Sequence, residues 1–233
     1  MAIERFFPQR AALTATLSAQ IANRLAEAVA LRGQAGMVVT GGSTPAPLYD
    51  ALAQTEAPWA QTAITLTDER WVDVTETASN EGLVRGRLLQ GHAAAARLVG
   101  LKTADATPAQ ALGALETALS ALPQPFDVVI LGMGGDAHIA SLFPGAPELE
   151  RAFDTTRPDL VCAIHRPGAD GSPERVSLTL RALLGARYIA ILIEGEAKLA
   201  AYRALAASDD PYTAPVRAIL QQQHTPVDIW WAP

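Results

Sequence analysis

One stretch limits what this chain can fold into more than any other: Phe126-Asp127-Val128-Val129-Ile130-Leu131-Gly132-Met133-Gly134-Gly135-Asp136-Ala137-His138. The continuous apolar run at 128–131 predicts a strand buried on both faces. Glycines at 132, 134 and 135 follow at once, where a chain can turn sharply or lie close against a ligand. Asp136 and His138 come next, the two side chains here best suited to proton transfer. Strand, glycine turn, then acid and imidazole is how an α/β protein builds a site at the carboxyl end of its sheet.

The remainder of the chain fits that class. Of 233 residues, 49% are hydrophobic and 18% charged, enough for a sizeable core and against global disorder. The net charge of -6 argues against a nucleic-acid binder or a polybasic membrane protein, so an anionic ligand must be held by a few placed cations. No apolar stretch approaches the roughly 18 residues that span a bilayer. The N-terminal residues are charged where a signal peptide would be apolar, and a cytoplasmic location is expected. Cys162 is the only cysteine, which excludes an internal disulfide and a thiolate metal cluster; its apolar neighbours predict a buried small residue. No two histidines have helical metal-ligand spacing, so no metal is expected. No obligate protein partner is evident.

Residues 12–32 carry Leu13, Leu17, Ile21, Leu25, Ala28 and Val29 at helical spacing, with Gly33 placed to end the helix. Further helices are predicted from Pro45 through Leu52, after Ser79-Asn80 to Leu89, and at 108–122, 196–207 and 216–222. Strand patterns occupy 37–40, 63–67, 97–101, 126–131, 160–165, 176–180, 188–194 and 227–231. Strands alternating with helices predict a mostly parallel sheet with helices on both faces. The Gly-, Pro- and Asp-rich loop at 166–173 is the only candidate seam, and it is short, so residues 1–233 read as a single α/β domain.

Gly41-Gly42-Ser43-Thr44-Pro45 falls between a strand and a helix, where free backbone N–H groups and the helix dipole attract an anion. Ser43 and Thr44 add hydroxyl donors that suit a phosphate group; a plain helix cap fits the same residues. A catalytic serine would need Gly-x-Ser-x-Gly, and Pro45 holds the last position. Residues 132–137 partly match the dinucleotide fingerprint, but no acid-ended strand follows about 20 residues on, so no dinucleotide is expected. Asp68-Glu69-Arg70 directly follows an apolar strand and is either a solvated loop or part of a site. His138 beside Asp136 is the functional histidine, while His92, His165 and His224 default to structural roles. Arg175 precedes a strand pattern. Lys198 lies in the first turn of a helix, where a cation opposes the dipole, and that placement suggests another purpose.

Together these segments resemble the 6-phosphogluconolactonase family, which is related to glucosamine-6-phosphate deaminase. The resemblance runs from residue 38 to about residue 200 and rests on four stretches in order. They are Gly41-Gly42-Ser43-Thr44-Pro45; Asp68-Glu69-Arg70-Trp71-Val72 with Ser79-Asn80; residues 131–138 through Phe143-Pro144-Gly145; and residues 175–180 with Gly195-Glu196-Ala197-Lys198. The resemblance implies an α/β fold with a Rossmann-like parallel sheet and no metal or organic cofactor. It implies hydrolysis of 6-phosphogluconolactone, a phosphorylated sugar lactone, to 6-phosphogluconate in the oxidative pentose phosphate pathway. His138 matches the family's catalytic histidine, and Ser43, Arg175 and Lys198 match positions associated with the sugar phosphate. Ala137 and Ile139 stand where members usually carry Gly and Thr. If position 137 needs a positive φ, alanine there costs roughly 1 kcal/mol.

A lactone is already electrophilic, so water activated by neutral His138 suffices, with Asp136 or Glu69 placed to orient the ring. Arg70 or the backbone N–H groups of the glycine turn would stabilise the oxyanion. Gly42, Ser43, Thr44, Asp68, Arg70, Arg175 and Lys198 complete the expected substrate site. Two rival functions fit the same pattern: aldose–ketose isomerisation with deamination, and a non-enzymatic sugar-phosphate sensor.

Overall fold

The computed structural model describes residues 2–206 and 209–233, with Ala206 described by its backbone alone. In chain order the first half carries β1 Ile3–Phe6, α1 Arg10–Arg32, β2 Ala35–Val39, α2 Ala46–Ala53, β3 Thr62–Leu66, β4 Asp68–Arg70, α3 Asn80–Arg87 and β5 Arg97–Val99. The second half carries α4 Pro108–Ser120, β6 Val128–Gly132, α5 Leu149–Phe153, β7 Val161–His165, β8 Glu174–Leu178, α6 Leu180–Leu184, β9 Ile189–Glu194, α7 Glu196–Ala206, α8 Val216–Leu220 and β10 Val227–Ala232. The predicted end of the 196–207 helix at Ala207 lies outside the described residues.

Seven strands form a parallel sheet in the order β1-β10-β9-β6-β2-β3-β5. β6 sits between β9 and β2, with Met37 level with Val128 and Val129 level with Ile189, so residues 128–131 are buried on both sides. That burial is what the unbroken apolar run encodes. The helices are set by local signals. Leu13, Leu17, Ile21 and Leu25 of α1 all point into the core, and Gly33 ends the helix at φ 76° with its N–H on Val29 O. α4 starts in a capping box between Thr107 and Gln110, with Pro108 in its first turn.

Three segments depart from the expected alternation. β4, β8 and β7 make a second, antiparallel sheet, in which Asp68 faces Ser177 and Arg70 faces Arg175. The patterns at 160–165 and 176–180 suggest strands of the main sheet, and the structure removes them from it. Only the 166–173 loop joins them, and a parallel connection needs a crossover of a dozen or more residues, so the pair closes as a hairpin. Asp68–Arg70, which fits a charged loop by composition, is β4 itself. The short elements β1, α5 and α6 carry no periodic signal long enough to read.

β2 and β6 are neighbours from which the chain leaves in opposite directions along the sheet, β2 toward β3 and β6 toward β9. A crevice opens beyond the carboxyl ends of strands at such a switch point.

Candidate active site

Past Gly132 the chain folds into a tight turn, with Ala137 N donating to Gly134 O at 3.1 Å and Gly134 N to His138 O at 3.0 Å. The turn sets His138 Nδ1 2.5 Å from Asp136 Oδ1, and that oxygen also accepts the His138 backbone N–H at 3.2 Å. A carboxylate there keeps the imidazole proton on Nδ1 and leaves the Nε2 lone pair free. The hydrogen bond from His138 is the main reason the Asp136 carboxyl lies below its ordinary pKa. Ala137 adopts φ 64° and Ala140 φ 49°, so alanine at 137 does sit in the left-handed region, at a cost of about 1 kcal/mol. Its carbonyl accepts from Val216 N at 3.0 Å, which ties the strained turn to α8.

At the end of β2, Gly41 packs against Asn80 so closely that a Cβ would lie 1.8 Å from Asn80 Oδ1. Asn80 in turn donates to Asp68 O at 2.8 Å. Neither Ser43 nor Thr44 caps α2; the N-cap position is Pro45, which has no side-chain cap bond. The plain helix-cap reading of this loop therefore finds no bond. Thr44 Oγ1 instead accepts from Lys198 Nζ at 3.4 Å, so the oddly placed cation of α7 reaches the glycine loop.

The charge cluster of β4 divides. Asp68 is buried, accepting from Thr67 Oγ1 at 2.8 Å on one oxygen and from Ser141 Oγ at 2.6 Å on the other. Arg70 turns Nη1 onto Ala78 O and the Asn80 side chain. Glu69 is expected from the sequence as a possible orienter of the histidine, and its contacts correct that. Its wholly buried carboxylate accepts from the N–H groups of Arg70, Asn80 and Glu81 and from Ser79 Oγ, at 2.7–3.1 Å, and none of its bonds goes to His138. It closes the N-terminus of α3. Burial pushes its carboxyl above the ordinary pKa, against the pull of those N–H groups. Of the two acids, Asp136 is the one bonded to the ring.

Arg175, in β8, is buried against the 170–172 segment through Asp170 O and Ser172 O, and reaches Ser141 Oγ at 3.5 Å. Its pKa is lowered, chiefly by burial and then by Arg70 opposite. Arg70, Arg175, Lys198, Asp68, His138 and the loop 40–45 line one cavity of about 250 Å³ at the carboxyl ends of β2 and β6. Three cations against one hydroxyl-bonded carboxylate make this spot attractive to an anion in a chain of net charge -6. A neighbouring cavity of about 350 Å³ shares Arg70, His138 and Arg175 and adds Asp136, Phe143 and Arg166.

Gly42, Ser43, Thr44, Asp68, Arg70, Asp136, His138, Arg175 and Lys198 thus fall around adjoining cavities, and Glu69 does not. The structure adds Asn80, Ser141, Phe143 and Arg166, which sequence reasoning misses as site residues. Asn80, Ser141 and Phe143 lie within or beside the family-like stretches, a signal that could have found them; Arg166 stands only in a loop, where a lone arginine carries none. Of the remaining histidines, His165 pairs with Glu174 at 2.5 Å on the surface. Cys162 is buried, and burial pushes its thiol up to about 12. Among the described residues no group of three His, Cys, Asp or Glu side chains is placed to hold a metal, and no helix is long and apolar enough to cross a membrane.

The crevice at the switch point of this α/β sheet brings together a histidine bonded to an aspartate and three cations. The chain belongs to the family of glucosamine-6-phosphate isomerases and 6-phosphogluconolactonases, which matches it over residues 8–231. It is 43% identical over 222 residues to a 6-phosphogluconolactonase of Pseudomonas putida, covering 95% of this chain and 89% of that one. It is 40% identical over 227 residues to one of Mesorhizobium japonicum, covering 97% and 94%. The crystal structure of a 6-phosphogluconolactonase from Shewanella baltica superposes with a TM-score of 0.96 at 42% identity, covering 100% of this chain and 98% of that one.

Proposed function

We propose that this chain hydrolyses 6-phosphogluconolactone to 6-phosphogluconate in the oxidative pentose phosphate pathway, as a single-domain cytoplasmic enzyme needing no cofactor. The observation that carries the reading is the Asp136–His138 pair beside the cavity, in which Asp136 engages Nδ1 and Nε2 is the nitrogen left to take a proton. His138 takes a proton from water as the water oxygen attacks the lactone carbonyl. Arg70, whose Nη2 makes no hydrogen bond to the described residues, faces the oxyanion of the tetrahedral intermediate. The intermediate collapses by breaking the bond to the ring oxygen, which receives the proton back from His138. Lys198, Thr44 and Ser43 hold the phosphate at the amino end of α2, with Gly42 supplying a backbone N–H. Arg175 and Asp68 bound the sugar side of the same cavity.

Deamination of glucosamine 6-phosphate needs a carboxylate free to take a proton from C2 and an acid to open the ring. Asp68 stands where that base is expected and lines the cavity, with each oxygen accepting one hydroxyl hydrogen bond. Ser141-Leu142-Phe143-Pro144, however, replaces the Phe-Asn-Glu-Pro of the deaminase branch, so no glutamate pairs with His138. Assaying purified protein on fresh 6-phosphogluconolactone and on glucosamine 6-phosphate tests the reading. Ammonia released at a rate comparable to lactone turnover would reverse it.

A further inference from the structure

His138 is held by more than Asp136. The Phe143 ring lies against the imidazole, with centroids 4.6 Å apart and planes inclined by 45°. Phe143 is itself buried and fixed by two guanidinium groups, since Arg166 and Arg175 each place Cζ 5.4 Å from its centroid. Its backbone is closed into turns on either side, Leu142 N to Ile139 O at 2.9 Å and Ala146 N to Phe143 O at 3.1 Å.

We propose that Phe143 is a positioning residue for the hydrolysis, a wall that fixes the tilt of the His138 ring and faces the imidazolium formed in mid-reaction. The bond from Nδ1 to Asp136 fixes one nitrogen of the ring and leaves the tilt of the imidazole to be set by the groups packed against it. Phe143 is a flat, buried neighbour on one side of the imidazole, and a misplacement of about 1 Å at a reacting atom can cost about 100-fold in rate. The ring quadrupole also favours a cation lying against it, so Phe143 supports the charged form of His138 once it has taken the proton from water. The other charged groups facing His138 are Asp136 on its own loop, Arg70 on β4, Arg166 and Asp170 on the 166–173 loop, Arg175 on β8, and Asp68 and Lys198 across the cavity. The two arginines tie this wall to the 166–173 loop and to β8, so the small antiparallel sheet helps to set the imidazole as well as to bind substrate.

The role of Phe143 rests on His138 being the general base. The test compares Phe143→Leu and Phe143→Tyr with the unaltered enzyme on fresh lactone across pH, alongside the affinity for 6-phosphogluconate. Phe143→Leu stays apolar but loses the ring. It is expected to lower kcat about tenfold or more, leave KM and product affinity within about twofold, and move the acidic limb of kcat/KM down by several tenths of a pH unit. Phe143→Tyr, which keeps the ring, is expected within about threefold of the unaltered rate. If Leu does not fold, Phe143→Met gives the same readings with the volume kept. The proposal is overturned if the ring-less variant keeps both kcat and the acidic limb. It is equally overturned if kcat falls only in step with product affinity and melting temperature, the mark of a purely structural role. His138→Asn measured in parallel separates the two claims. An active His138→Asn removes the base assignment, and an inactive one beside a normal Phe143→Leu removes the Phe143 assignment alone.

Discussion

Gly134 and His138 share a space that only one side chain can fill. A Cβ at position 134 would lie 2.2 Å from both Nδ1 and Cε1 of the imidazole and 2.9 Å from Asp136 Oδ1. The glycine is therefore what lets the Asp136–His138 pair close. Gly134→Ala is expected to displace the ring and lower kcat by about 100-fold while the melting temperature falls by only a few degrees. Steady-state rates with a thermal melt check this, and a normal kcat would mean the pair tolerates a different ring position.

Glu69 tests a different boundary, between chemistry and scaffold. With its carboxylate holding three backbone N–H groups and Ser79, Glu69→Gln is expected to cost about 1–3 kcal/mol of stability. The folded fraction should keep kcat within about threefold. Chemical denaturation and kinetics on the same sample decide it, and a large kcat loss at unchanged stability would return Glu69 to the reaction.

Lys198 reaches the glycine loop through Thr44, remote from the bond that breaks. Lys198→Ala is expected to raise KM for the phosphorylated lactone by about 10-fold or more, with kcat little changed, because the phosphate is gripped alike in ground and transition states. The unphosphorylated lactone should be unaffected. Arg175→Ala also removes contacts to Asp170, Ser172 and Ser141, so it is expected to lower the melting temperature as well as raise KM. Equal losses on both lactones from Lys198→Ala would detach it from the phosphate.

Asp136 gives a pH signature. Its folded pKa lies below the ordinary aspartate value, so its ionised form stabilises the fold at pH values above the unfolded pKa. That contribution disappears as pH falls through the lower folded pKa. The stability gap between the unaltered enzyme and Asp136→Asn, followed by urea melts from about pH 5 down to about pH 2, is expected to close at the acid end. A gap that widens there would mean the aspartate pKa is raised.

The parts of this architecture that repeat over many residues are legible in the amino-acid sequence alone. The apolar run at 128–131 declares a central strand, and the spacing in α1 declares its buried face. Of the site, His138, Asp136 and the glycine loop can be read because strand, glycine and polar residue stand next to each other in sequence. Glu69 escapes correct assignment because three adjacent charges do not say which of them faces inward, and the pleat of a strand sends neighbours to opposite sides. The pairing of Arg70 with Arg175 spans more than a hundred residues and depends on strand register, which no local pattern carries. The contact of Phe143 with His138 and two arginines belongs to the same class of information.

The role of His138 as general base is tested most directly by one comparison. Fresh 6-phosphogluconolactone is followed by proton release with the unaltered enzyme and with folded His138→Asn, each corrected for spontaneous hydrolysis. The unaltered enzyme is expected to accelerate ring opening, and His138→Asn to lose about 100-fold or more in kcat while keeping its affinity for 6-phosphogluconate. A folded His138→Asn that hydrolyses the lactone at near the unaltered rate would contradict it.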